Sequence, residues 1–132
     1  MRSALAVVGM QPSDIDYINL HGTGTSLNDA MESIATATVM GGSIKCSSTK
    51  SLVGHTLGAA AAMELGFCWL ALSDFNVDQL LPPHIWDGVP DPELPALGFA
   101  RIGDKSPRLE TCMSNSYAFG GCNVSLIIGR AD

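Results

Sequence analysis

Twice ahead of Ala60 the chain passes from a short strand-like stretch, through a glycine-flanked turn bearing a histidine, into a helical pattern. The first passage is Asp16-Tyr-Ile-Asn-Leu20 followed by His21-Gly-Thr-Gly-Thr25. The second is Ser43-Ile-Lys-Cys-Ser47 followed by Lys50-Ser-Leu-Val-Gly-His55. A strand that ends in a tight turn and re-enters as a helix must bury one face of each element on the other. Repeating that unit restricts the chain to α/β layers. With 132 residues, 46% of them hydrophobic, the chain can fill the core of one domain. Only three histidines are present, and two of them stand in these turns.

The other elements follow from period and punctuation. Arg2 to Met10 reads as the abrupt end of a helix closed by Gly9, with Pro12 beyond it. Ser26 is the expected N-cap of the next helix, with Asp29 three residues on. That helix carries Leu27, Ala30, Met31, Ile34 and Ala35 and stops near Gly41-Gly42. A third helix, about Thr56 to Ser73, is apolar all round and is expected to be buried on every face. Residues 74–107 hold six of the seven prolines and predict a stiff connection with little regular structure. Two strands, Arg108 to Ser114 and Asn123 to Ile128, should close the chain around Tyr117-Ala-Phe-Gly-Gly121. The predicted fold is a mixed sheet packed between helices.

Composition removes several classes. A net charge of −6, with seven Lys and Arg that form no stripe, argues against nucleic acid as a partner. The longest apolar stretch, Leu57 to Leu72, contains Glu64 and falls short of a membrane span. No secretory leader is expected ahead of the first helix, so a cytoplasmic location is expected and Asn123-Val-Ser125 is taken as a chance sequon. Cys46, Cys68, Cys112 and Cys122 are widely spaced in apolar or strand-like runs, which predicts buried reduced thiols and no zinc site.

Several residues invite chemistry, and each also has a plainer reading. His21 lies between a strand and a helix N-terminus, where α/β folds place ligands, although a lone histidine there is more often structural. Gly22-Thr-Gly24 is no dinucleotide fingerprint, because Leu27 stands where the third glycine belongs. Near a helix start the dipole favours a neutral His55, and Lys50 acts in the same sense. Such an imidazole can donate to a developing oxyanion. An exposed lysine and a capping histidine would look the same in sequence. Glu64, inside an apolar helix, needs a partner, a proton or a metal, and Asn19, Ser114 and Asn115 are polar candidates at strand ends. Phe119-Gly120-Gly121 permits backbone N–H groups to face a cavity, or merely turns a hairpin. His84, in Pro82-Pro-His-Ile-Trp-Asp87, reads as loop packing.

Taken together the chain resembles the C-terminal half of a β-ketoacyl-acyl-carrier-protein synthase, a decarboxylating condensing enzyme with a thiolase-like fold. Three motifs in order carry the resemblance: His21-Gly-Thr-Gly-Thr25 with Asn28-Asp29 and Glu32, Lys50 through Ala60, and Ser114-Asn-Ser-Tyr-Ala-Phe-Gly-Gly-Cys-Asn123. The resemblance implies that His21 and His55 bind the thioester carbonyl of malonyl-carrier protein and that Lys50 orders them. It makes the Phe119 N–H an oxyanion donor and its ring a gate, with Thr23, Thr25 and Gly120 on the substrate side. Asn19, Glu64, Ser114 and Asn115 match positions that hold a structural monovalent cation in some members; no other cofactor is implied. Asp29 and Glu32 match supporting acids. Implied partners are the carrier protein and an N-terminal half, within a homodimer or heterodimer.

Departures from the family pattern are Ser26 for Pro, Ala118 for Gly, Cys122 for Thr, and no further Gly near Ala61 or Ala62. Ala118 should stiffen or reshape the gate loop, because it restricts backbone angles that glycine permits. The family's nucleophilic cysteine belongs to the N-terminal half, and no cysteine here matches it. By itself the chain is therefore not expected to complete a condensation. Two alternatives remain, a non-catalytic partner like a chain-length factor and an inactive truncated fragment. The Leu81–Asp87 connection is similar to that of synthases from aryl-polyene-type pathways.

Overall fold

The computed structural model describes residues 1–131. Five strands form one sheet: β1 (Tyr17–Asn19), β2 (Lys45–Ser47), β3 (Gly98–Phe99), β4 (Thr111–Ala118) and β5 (Cys122–Gly129). Their spatial order is β3-β2-β1-β4-β5. The first four are mutually parallel, and β5 runs antiparallel to β4 as the second arm of a hairpin. The helices are α1 (Arg2–Val8), α2 (Ser26–Met40), the single turn α3 (Lys50–Val53) and α4 (Ala60–Leu72). The expected mixed sheet between helices is what the chain forms.

Alternation along the central strands divides the core in two. Tyr17 and Cys112 are paired in register and pack with Cys68, Ala71 and Leu72 of α4. One residue further on, Ile18 pairs with both Cys46 and Met113 and faces the other way, onto Leu5 of α1 and Val39 and Met40 of α2. Both faces are covered, so β1 is buried throughout. Asp16 fixes the start of this register: its carboxylate accepts from the N–H groups of Glu110 and Thr111, each at 2.9 Å.

Several boundaries differ from the sequence expectation. Gly9 closes α1 in the left-handed conformation (φ 68°), as expected. The N-cap of α2, however, is Thr25, and no side chain bonds the helix end, so Ser26 is already inside the first turn. The third helix is broken at its start. A 3-10 turn over Leu57–Ala59 precedes α4, while Lys50 opens a helical turn of its own. Strand β4 continues to Ala118, which puts Ser114 and Asn115 in mid-strand rather than at its end. The proline-rich connection contributes β3, too short to show a period.

Neither long helix buries the face its apolar residues predict. On α4 only Ala60, Glu64, Cys68, Ala71 and Leu72 are buried, while Trp69 (59%) and Leu70 (49%) are exposed. On α2 the buried residues are the polar Glu32 and Thr36, and Leu27 is 88% exposed. Cys122 is exposed at the start of β5, against the expectation that all four thiols are buried; Cys46, Cys68 and Cys112 are buried.

A close backbone approach at the sheet edge yields a test. A Cβ on Gly98 would stand 2.5 Å from the carbonyl oxygen of Ile44 and 2.9 Å from that of Ser43. Gly98→Ala should therefore destabilise the protein by about 1–3 kcal/mol, seen as a lower denaturant midpoint at unchanged m-value. An unmoved midpoint would mean that β2 and β3 are not this close.

Candidate functional site

The site gathers at the C-terminal ends of β1 and β2, where parallel strands release their chains into turns. Past β1, the carboxylate of Glu32 accepts from the N–H of His21 at 2.9 Å and of Gly22 at 2.7 Å. This buried acid on α2 clamps the turn through its backbone. Asn115 supports the clamp by donating to Glu32 at 3.4 Å. Gly22 has φ 32°, and a Cβ there would meet the Cβ of Ser48 at 2.5 Å, so the position admits only glycine. The hydroxyl of Ser48 donates to the Gly22 carbonyl at 2.6 Å and ties the two turns together.

His21 and His55 meet as expected. Their ring centroids are 5.5 Å apart and the planes stand at 88°. His21 is buried, whereas His55 is exposed on its turn. Lys50, far from being an exposed lysine, is buried. Its ammonium pairs with the buried carboxylate of Glu64 and lies 3.4 Å from Nδ1 of His21. Burial, then the Lys50 charge and then His55 lower the His21 pKa from 6.5 to about 4. Glu64 is pushed up by burial and pulled back by Lys50.

These contacts assign the protons on both rings. An ammonium can only donate, so Nδ1 of His21 accepts and Nε2 carries the hydrogen. At His55 the N–H of Leu57 donates to Nδ1 at 3.2 Å, which again leaves the hydrogen on Nε2. Leu57 is held at φ 53°, a conformation that costs a non-glycine residue about 1 kcal/mol. The result is two Nε2–H donors on rings set edge to face.

The other expected residues are placed less uniformly. The hydroxyls of Thr23 and Thr25 bond each other at 2.9 Å. Thr23 lines an open cleft of about 1140 Å³ together with Gly22, Lys50, His55, Asp29 and His84. Phe119 opens the Phe119–Gly121 turn of the hairpin, with its ring wholly in solvent, so this chain alone provides no pocket for it to close. Gly120 sits at φ 79° in that turn, but Ala118 is extended at φ −133°, which any residue adopts.

Asn19, Ser114 and Glu64 are buried, and Asn19 pairs in register with Ser114. Asn19 Oδ1 and Glu64 Oε2 are both without a hydrogen-bond partner. The side chain of Asn115 is engaged elsewhere, donating to Glu32 and accepting from Ser125 at 2.7 Å, because adjacent strand residues face opposite sides. Among the described residues no group of three or more His, Cys, Asp and Glu could hold a metal. Burial pushes the Cys46 thiol up to about 12, and a hydrogen bond with Cys68 followed by burial raises Cys112, conditions that keep a thiol inert.

Sequence reasoning missed Ser48 and Tyr117. The Tyr117 ring lies 6.0 Å from that of His21. Its place in the Ser114–Asn123 motif was the available signal; for Ser48 it was the place at the head of the Ser48–His55 stretch.

The mixed sheet brings two imidazoles and a buried lysine together at the C-terminal ends of β1 and β2. A family model for the beta-ketoacyl synthase C-terminal domain matches residues 1–85. The chain is 40% identical over 131 residues to nodulation protein E of Rhizobium leguminosarum bv. trifolii, covering 96% of this chain and 31% of that protein. It is 40% identical over 133 residues to 3-oxoacyl-[acyl-carrier-protein] synthase 2 of Rhizobium meliloti strain 1021, covering 98% and 30%. Among solved structures, a ketosynthase in complex with its chain length factor from Xenorhabdus doucetiae superposes with a TM-score of 0.88 at 48% identity, covering 99% of this chain and 32% of that one. The chain belongs to the β-ketoacyl synthase family of condensing enzymes and spans about a third of the length of these relatives.

The His21 assignment carries a signed pH dependence. Its folded pKa lies below the unfolded value, so between 6.5 and about 4 the unfolded chain binds more protons and stability falls as pH drops. Relative to His21→Gln, the native chain should lose stability across that window and no more below it. In Lys50→Met the His21 pKa should rise, as read by histidine NMR titration, and the orphaned Glu64 should cost about 3–5 kcal/mol. If that variant does not fold, Lys50→Met with Glu64→Leu restores folding and keeps the pKa test. An unchanged His21 titration would refute the contact.

Proposed function

We propose that this chain is the C-terminal half of a decarboxylating condensing acyltransferase, acting on malonyl-carrier protein and an acyl group held by a cysteine of a complementary half. The observation that carries the reading is the pair of Nε2–H donors 5.5 Å apart by ring centroid, with the Lys50 ammonium behind one of them. Two neutral donors fixed before the reaction suit an oxygen that gains charge only in the transition state. When the bond between the malonyl Cα and its carboxylate breaks, carbon dioxide leaves. The electron pair delocalises onto the thioester oxygen, which His21 and His55 hold. The resulting Cα nucleophile attacks the acyl thioester, and the cysteine thiolate departs. The Phe119 N–H would serve the second oxyanion.

The exposed apolar residues support a covering half. Leu52, Val53, Leu57, Trp69, Leu70, Phe75 and Val77 are exposed on or beside α3 and α4, apolar side chains that a partner would remove from water. The opposing half would bury them and bring the cysteine. Among the described residues no helix is long and apolar enough to cross a membrane. A purely structural partner subunit would have no use for His21, Lys50 and His55 together, which favours the catalytic reading.

Asn19, Glu64 and Ser114 fit a monovalent cation, because the two orphaned oxygens are buried and of a type that such ions prefer. The cation would neutralise the second oxygen of Glu64 and fix α4 against β1 and β4. The midpoint of thermal unfolding should rise with potassium over tetramethylammonium at equal ionic strength, and Asn19→Leu should remove the difference. Equal midpoints in both salts would reject the site.

The catalytic reading is tested by release of carbon dioxide from malonyl-carrier protein by the reassembled halves. His21→Ala and His55→Ala should each lower that rate by about 10²–10³-fold. An unchanged rate in both variants would overturn the assignment.

A further inference from the structure

The third histidine is not used by the proposed chemistry, yet it is among the most constrained side chains of the proline-rich connection. His84 Nδ1 accepts from the backbone N–H of Ser48 at 3.1 Å. The ring stacks on Phe99 with centroids 4.2 Å apart at 13°, and Trp86 closes from the side at 5.8 Å. The N–H of His84 donates to the Ala100 carbonyl at 2.7 Å, which anchors its backbone beside β3.

Ser48 is where the two histidine-bearing turns meet. Its hydroxyl donates to the carbonyl of Gly22, the residue after His21, and accepts from the N–H of Lys50 at 3.4 Å. Lys50 in turn reaches the ring of His21. Ser48 alone therefore separates His84 from Lys50, and Ser48 with Gly22 separates it from His21.

We propose that His84 is a positioning residue: by accepting the Ser48 N–H, it sets the turn from which Lys50 meets His21, and so keeps His21 a neutral Nε2–H donor. This rests on the catalytic reading of His21, Lys50 and His55. A backbone N–H only donates, so Nδ1 of His84 must be bare and its hydrogen must sit on Nε2. Burial holds the His84 pKa below its ordinary value, which favours that form. Asp29 on α2 is the charged group acting on the ring, while Ser48, Phe99, Trp86 and Ala100 present none.

Two substitutions separate the acceptor from the ring. His84→Phe keeps an aromatic face for Phe99 and cannot accept. His84→Asn places an amide oxygen near the position of Nδ1 and gives up the ring. In the reassembled halves, His84→Phe should speed hydrogen exchange of the Ser48 amide about tenfold. It should slow malonyl-carrier-protein decarboxylation about 10–100-fold and move the acid limb of its pH profile upward, because Lys50 no longer depresses His21. His84→Asn should recover all three. If His84→Phe leaves the rate and the acid limb unchanged while His21→Ala abolishes the reaction, the positioning role is overturned and the catalytic reading stands. Equal losses in both His84 variants with an unmoved acid limb would mark packing alone and also overturn it. A rate indifferent to His21→Ala would sink the catalytic reading itself, and this role with it.

Discussion

The buried Lys50–Glu64 pair is the constraint on which the site depends. Two ions removed from water survive only if each has the other, since desolvation of either alone costs several kcal/mol. Glu64 lies on the face of α4 that meets the sheet, and Lys50 lies in the turn after β2, so the pair locks helix to strand end. The same ammonium faces Nδ1 of His21 and adds to burial, the larger cause, in lowering the pKa of that ring. One contact thus joins the layer packing to the electrostatics of His21.

A second acid does a different task. Glu32 touches no reacting position; it spends its carboxylate on the N–H groups of His21 and Gly22. Those groups lie past the end of β1, where the ladder no longer supplies acceptors, and an unpaired buried N–H is costly. This explains why the buried face of α2 is polar at Glu32 and Thr36 while Leu27, Met31 and Ile34 look outward. The helix serves the loop before it serves the core. The apolar residues Leu27, Met31 and Ile34 of α2 and Trp69 and Leu70 of α4 are left exposed.

Much of this was legible in the residues. The strand–turn–helix passages at His21 and Lys50, the closing glycine at Gly9 and the final hairpin all follow from period and punctuation, because those signals are local. The errors have a common cause. Ser26 and Thr25 both have cap chemistry, and spacing cannot choose between them. The helix after His55 could not be read as broken, because the left-handed Leu57 answers to a hydrogen bond with His55 rather than to any propensity of leucine. Strand β3 is two residues long and exists because Gly98 lets the connection approach Ile44 and Ser43.

The sequence by itself determined which chemistry is available: two histidines, a lysine and a glycine-rich hairpin in a fixed order, on strand ends that an α/β layer brings to one side. Tertiary structure alone decided what those groups are. Whether Glu64 would meet Lys50, whether Asn115 would join Asn19 and Ser114 or turn to Glu32, and whether His84 would reach Ser48 depended on distances across the sheet. Burial and hydrogen-bond pairing are properties of neighbours in space, and neighbours far apart in the chain leave no mark on local pattern.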